Sequence, residues 1–203
     1  MEIKHILVVV ATMLAVSASA QKKSAKKELD YEPLTREFLY SVSPENPYRL
    51  TNTTIVTLSN NPSTLPDFGS KHMFLFYVDP ESYIKESANR DLEKELKADG
   101  KLGWEGKTYS PEIQGYAVLN LADTKIPSGL IRSVVKMVLG KDVPSRNFAD
   151  NDHSLKKAWR LPDVNNKFVL MFITKEGDLV FYRESPMTDE EKELMYNTIQ
   201  MYR

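Results

Sequence analysis

The residues best suited to chemistry form a short run of acids ending in an imidazole, Asp150-Asn151-Asp152-His153. A carboxylate beside a histidine can orient the ring for acid–base work, and the same side chains can ligate a metal. Asp and Asn are also the residues that cap free amides at helix starts, which is the simpler assignment for this run. No His-x-x-x-His pair, cysteine cluster or calcium-loop pattern accompanies it, so neither a metal nor a cofactor is expected. Two other polar groups stand out: Asp79, Glu81, Ser82 and Tyr83, and then Asp123, Thr124 and Lys125. Ser82 has no adjacent base and no Gly-x-Ser-x-Gly elbow, so it reads as a loop or cap hydroxyl rather than a nucleophile. Arg132 could hold an anion near a helix start or make a surface ion pair. The 203 residues include no cysteine. Thiolates are the nucleophiles of disulfide exchange and peroxide reduction, so this chain cannot run either reaction by itself.

The segments that must position these groups fall into three parts. Residues 1–20 read as a signal peptide, with Lys4, an apolar run from Ile6 to Val16 too short to span a bilayer comfortably, and Ala18-Ser19-Ala20 before Gln21. Residues 21–47 read as an extended charged arm, with four lysines between Gln21 and Lys27 and prolines at 33, 44 and 47. Residues 48–203 then suit one domain with a sizeable core. Lys plus Arg number 27 against 28 Asp plus Glu, so no global field favours nucleic acid or an anionic surface. An exported domain without disulfides must rely on its core and hydrogen bonds. No transmembrane segment is expected once the signal peptide is cleaved.

Within the domain, Tyr48 to Leu58 is rich in Thr, Ile and Val and reads as a first strand. His72 to Val78 is a near-continuous apolar run, as in a strand buried on both faces. A helix is expected over Tyr83 to Ala98, with Ile84, Ala88, Leu92 and Leu96 on one stripe. Gly115 to Leu121 reads as a second buried strand, and Pro127 opens a helix carrying Ile131, Val134 and Val135. A short strand at Arg146 to Ala149 and a short helix at His153 to Arg160 follow, with Trp159 in the core and Trp104 in an earlier Gly-containing loop. Phe168 to Ile173, the turn at Lys175-Glu176-Gly177-Asp178 and Leu179 to Arg183 make a hairpin. Thr188 and Glu191 have capping-box spacing and open a last helix with Leu194, Met195, Ile199 and Tyr202 inward. The strand–helix–strand start demands a parallel pair and the closing hairpin adds antiparallel strands, so the sheet is mixed, with helices on both faces.

This layout resembles the thioredoxin-like fold: α/β, three-layer α/β/α, with an extra N-terminal strand and a helix–strand–helix insert. Residues from about 115 onward further resemble the YtfJ-like family of bacterial periplasmic proteins. The matching stretches are Val118 to Pro127, Ile131-Arg132-Ser133, Ala158-Trp159-Arg160-Leu161, Lys175 to Val180 and Met187 to Glu191. The resemblance implies a periplasmic address and brings no assigned reaction. In redox members of the fold, the motif follows the strand equivalent to 72–78; here that place holds Asp79-Pro80-Glu81-Ser82-Tyr83-Ile84. The cis-proline that such enzymes keep before the strand equivalent to 168–173 has no counterpart next to Phe168.

In an α/β sheet, ligands gather beyond the carboxyl ends of the parallel strands. That edge should collect Asp79, Glu81, Ser82 and Tyr83, with Asp123 and Lys125, and with Asp150, Asp152 and His153. The reading that follows is a non-redox binding module contacting periplasmic protein or peptide there. A hydrolytic or metal-assisted enzyme using the 150–153 segment is one rival. A structural envelope component tethered by its lysine-rich arm is another.

Overall fold

The computed structural model describes residues 30–85, 112–139 and 146–202. Its strands are β1 (Tyr48–Arg49), β2 (Ile55–Thr57), β3 (Pro62–Ser63), β4 (His72–Val78), β5 (Ile113–Asn120), β6 (Asn147–Asp150), β7 (Phe168–Ile173) and β8 (Asp178–Glu184). They form one sheet in the order β1-β8-β7-β4-β5-β6-β2-β3. β4, β5 and β6 run parallel, so their carboxyl ends share an edge; every other pairing is antiparallel. The helices are α1 (Arg36–Ser41), α2 (Pro80–Lys85), α3 (Ser128–Leu139), α4 (Ser154–Ala158) and α5 (Asp189–Met201).

β4 lacks polar alternation because both of its faces are covered. Its odd residues Met73, Leu75 and Tyr77 enter a core with Leu39 of α1, Leu155 of α4 and Trp159. Its even residues Phe74, Phe76 and Val78 enter a second core with Ile131 of α3 and with Met195 and Ile199 of α5. The period of two along a strand thus sorts one apolar run into two cores, one on each side of the sheet. α5 starts where the capping-box spacing places it: Thr188 Oγ1 accepts from Glu191 N at 3.2 Å, and Glu191 Oε2 accepts from Thr188 N at 2.9 Å. Leu194 differs from expectation, being 44% exposed, while Met195, Thr198 and Ile199 form the buried stripe.

The expected single strand over 48–58 is two strands at opposite sides of the sheet. β1 pairs with β8 at one edge, whereas β2 lies between β6 and β3 near the other. Hydrogen bonds to distant residues hold the intervening segment in place. Trp159 Nε1 donates to Thr51 O at 2.8 Å, and Asn52 binds both the amide and the carbonyl of Leu65. Leu50 and Ile55 are buried, so both halves carry strand-like composition although they serve different neighbours.

The charged arm also differs from expectation beyond residue 30. Thr35 caps α1 by accepting from Phe38 N, and Leu39 is fully buried. Leu34 N donates to Arg160 O at 2.8 Å and Arg36 pairs with Glu184 at 2.7 Å, which ties this segment to the domain. α2 begins at Pro80, three residues earlier than expected, with proline at the first helical position. The remainder of that expected helix, Trp104, the signal peptide and residues 21–29 lie outside the described residues.

Candidate functional site at the carboxyl ends of the parallel strands

Three loops meet beyond β4, β5 and β6, and two hydrogen-bonded centres join them. The first is at the β4–α2 junction. Asp79 is 0% exposed; its Oδ1 accepts from Glu81 N at 2.8 Å and its Oδ2 from Asn166 N at 3.0 Å. Asp79 N in turn donates to Lys167 O at 3.0 Å. Glu81 is also buried, and its Oε1 accepts from Lys125 N at 2.8 Å. These two carboxyls therefore tie α2 to the β5–α3 loop and to the segment entering β7. Burial pushes Asp79 up to about 7, reinforced by hydrogen bonding with the Glu81 side chain and opposed by the Asn166 amide.

The second centre gathers Asp123, His153 and Lys156. Asp123 Oδ1 lies 2.8 Å from His153 Nε2, and its Oδ2 accepts from Lys156 Nζ at 2.7 Å and Asn120 Nδ2 at 2.8 Å. Burial alone would raise this carboxyl, but the bonds from His153, Asn120 and Lys156 outweigh it and hold it well below the usual carboxylate range. Beside it, Asp150 Oδ2 accepts from Tyr77 OH at 3.0 Å and from Lys156 N at 3.1 Å. Burial raises Asp150 against those two donors, and burial followed by the Asp150 charge raises Tyr77 well above the ordinary phenol value. Asn120 and Asp150 sit directly opposite each other in the β5–β6 register.

Of the nine residues expected to converge, five have side chains in these centres: Asp79, Glu81, Asp123, Asp150 and His153. Lys125 contributes its backbone amide while its side chain is exposed. Asp152 is exposed and caps the start of α4, its Oδ1 accepting from Ser154 N at 3.1 Å and Ser154 Oγ at 2.5 Å. Ser82 is buried in α2. The Tyr83 side chain lies outside the described residues. His153 takes its partner from Asp123, 30 residues away, rather than from the neighbouring Asp150 or Asp152. Its backbone is left-handed at φ 65, a costly conformation for a non-glycine residue. Among the described residues, no three His, Asp or Glu side chains are disposed to hold a metal ion.

Lys156 was not among the expected residues, yet it is 1% exposed. The sequence did carry a signal for it: Lys156 lies three before Trp159, a spacing that shares one helix face. Asn120, Tyr77 and Asn166 were equally unexpected, because their roles depend on partners distant in sequence. Among the described residues Arg132 makes no ion pair. It donates to Thr57 O at 2.8 Å, Asn60 Oδ1 at 3.3 Å and Asn151 Oδ1 at 2.6 Å, so it clamps the β2–β3 turn to the loop after β6.

Solved structures share this architecture at low sequence identity. A pneumococcal surface-exposed lipoprotein thioredoxin from Streptococcus pneumoniae aligns over 74% of this chain and 99% of its own, with 14% identity and a TM-score of 0.50. The fold is thioredoxin-like. A protein disulfide isomerase candidate from Bacteroides thetaiotaomicron aligns over 86% of this chain and 94% of its own, with 17% identity and a TM-score of 0.50. A thioredoxin candidate from Neisseria meningitidis covers 75% of this chain and 89% of its own at 14% identity and a TM-score of 0.51. No family model matches the sequence, and no curated protein matches it. In this thioredoxin-like chain the place after β4 holds Asp79-Pro80-Glu81-Ser82 and the whole sequence lacks a thiol, so classical thiol–disulfide chemistry has no nucleophile here.

Proposed function

We propose that this chain is an exported, non-redox thioredoxin-like protein, related to the YtfJ-like group, that binds protein or peptide at the loop edge beyond β4, β5 and β6. The observation that carries the reading is the cross-linking of that edge by Asp79 and Glu81, whose carboxyls bond the amides of Asn166 and Lys125. Side chains used in this way are committed to holding loops. They leave a preorganised surface with Lys125, Asn151, Asp152, Asn165 and Asn166 exposed. Rigid loops lower the ordering cost of association, and opposite charges at Lys125 and Asp152 can set a partner's orientation. Export is supported by Lys4, the apolar run and Ala18-Ser19-Ala20. The YtfJ-like relation rests on the stretches within 118–191.

Photo-cross-linking side chains placed at Lys125, at Asp152 and, as a control on α5, at Glu190 test the surface. Adducts should form at the first two positions and not the third, and Lys125→Glu should reduce the Asp152 adduct while changing stability by no more than about 0.5 kcal/mol. Equal adduct yields at all three positions would overturn the reading. The 2.8 Å His153–Asp123 pair and the left-handed backbone of His153 favour a second reading, an acid–base hydrolase. His153→Ala separates the two, because a binder keeps its adducts whereas a hydrolase loses its turnover.

A further inference from the structure

The acid pair at the β4–α2 junction places two buried carboxyls two residues apart, with no ion pair among the described residues. Asp79 receives two N–H bonds and no cation. Glu81 receives one, while its second oxygen, Oε2, is buried without a donor among the described residues. Two ionised carboxylates could not rest together there, since like charges in a desolvated site disfavour double ionisation. One proton between them would satisfy the orphaned oxygen and remove one charge.

We propose that a single proton shared by Asp79 and Glu81 is a pH-sensitive latch on the loop edge. While the proton is held, the pair ties α2 to the β5–α3 loop and to the segment entering β7. When it is lost, two buried like charges loosen those ties. The latch concerns the same edge as the binding reading but does not depend on it, because its readout is loop opening rather than capture of a partner.

The surrounding charges do not substitute for the proton. From the β5–α3 loop, Asp123 is engaged by Lys156 and His153 of the α4 region, and the Lys125 side chain is exposed. From the segment entering β7, Lys167 lies 3.5 Å from Glu184, and Asp163 is exposed. From β6, Asp150 is held by Tyr77 and the Lys156 amide. Among the described residues Glu81 is thus the ionisable side chain that acts on Asp79, and burial together with that contact brings Asp79 to about 7, where a modest change of pH moves the proton.

Hydrogen exchange of the Lys125 and Asn166 amides reads the latch directly. In the wild type, protection of both, corrected for intrinsic exchange, should fall at least about tenfold between about pH 5.5 and about pH 8.5. Glu81→Gln, which places a permanent N–H donor where the shared proton would be, should keep its protection nearly constant over that range. A flat wild-type profile, or a Glu81→Gln profile that falls as steeply as the wild type, would overturn the proposal. If Glu81→Gln does not fold, a carboxyl-carbon NMR titration of the wild type decides. A step near neutrality at the Asp79 carboxyl supports the latch, and a step below about pH 5 there refutes it.

Discussion

The β4–α2 junction and the β5–α3 loop each hold an aspartate at the same sheet edge, and the two meet opposite environments. Asp123 is surrounded by donors, of which Lys156 brings a positive charge, so it stays ionised. Asp79 is more deeply buried, has only backbone N–H donors among the described residues and lies beside the Glu81 carboxyl, so burial pushes it up to about 7. Identical side chains therefore do different work: one pairs with the buried Lys156, and the other accepts the backbone N–H groups that hold neighbouring loops. Partner charge and desolvation make that difference, and neither is a property of the residue type.

Breaking the cationic centre should have the larger effect. Asp123→Ala leaves Lys156, 1% exposed, without its charge partner. The expected loss is about 3 kcal/mol, the lower end for a broken buried pair, because Asp123 remains partly solvated. Chemical denaturation at pH 7 should show it. The penalty should shrink only as the pH falls below the unfolded value of 3.8, since a depressed carboxyl contributes stability above that value and loses it through the still lower folded one.

The pH dependence at Asp79 should run the other way. Its folded value of about 7 lies above the unfolded 3.8, so its contribution is full below 3.8 and declines as the pH rises to about 7. Asp79→Asn retains one acceptor oxygen and should cost about 1–3 kcal/mol near pH 4, the usual loss when buried donors go unpaired. That penalty should narrow as the pH approaches 7. Denaturation midpoints of both proteins across pH 4–8 check this, and a gap that widens with pH would reverse the assignment of the proton.

The smallest effect is the control at Thr188, whose side chain bonds Glu191 N and neither centre. Thr188→Ala removes an N-cap bond and should cost about 1 kcal/mol, independent of pH between about 5 and 8. It should appear as a lower denaturant midpoint at unchanged slope. A marked pH dependence there would mean that global electrostatics, rather than the two local centres, governs the pH response of this protein.

The legible parts of the molecule were those whose causes are local. The apolar run at 72–78 announced a strand covered on both faces, and Thr188 with Glu191 announced the start of a helix; both stand where expected. The mixed sheet followed from element order. Within the site, the candidate residues were located by the rule that loops after parallel strands converge. Their partners were not, as His153 with Asp123 and Glu81 with the Lys125 amide show.

Sequence alone determined the element types over most of the described chain, the thioredoxin-like order of strands and helices, and the lack of a thiol, because propensity, periodicity and composition act within a few residues. Tertiary structure alone decided that residues 48–58 divide between two sides of the sheet, that Lys156 is buried, and that the Asp79 carboxyl is pushed up while that of Asp123 is pushed down. Those outcomes depend on which distant groups remove water and supply charge, and a residue's neighbours in sequence carry no record of either.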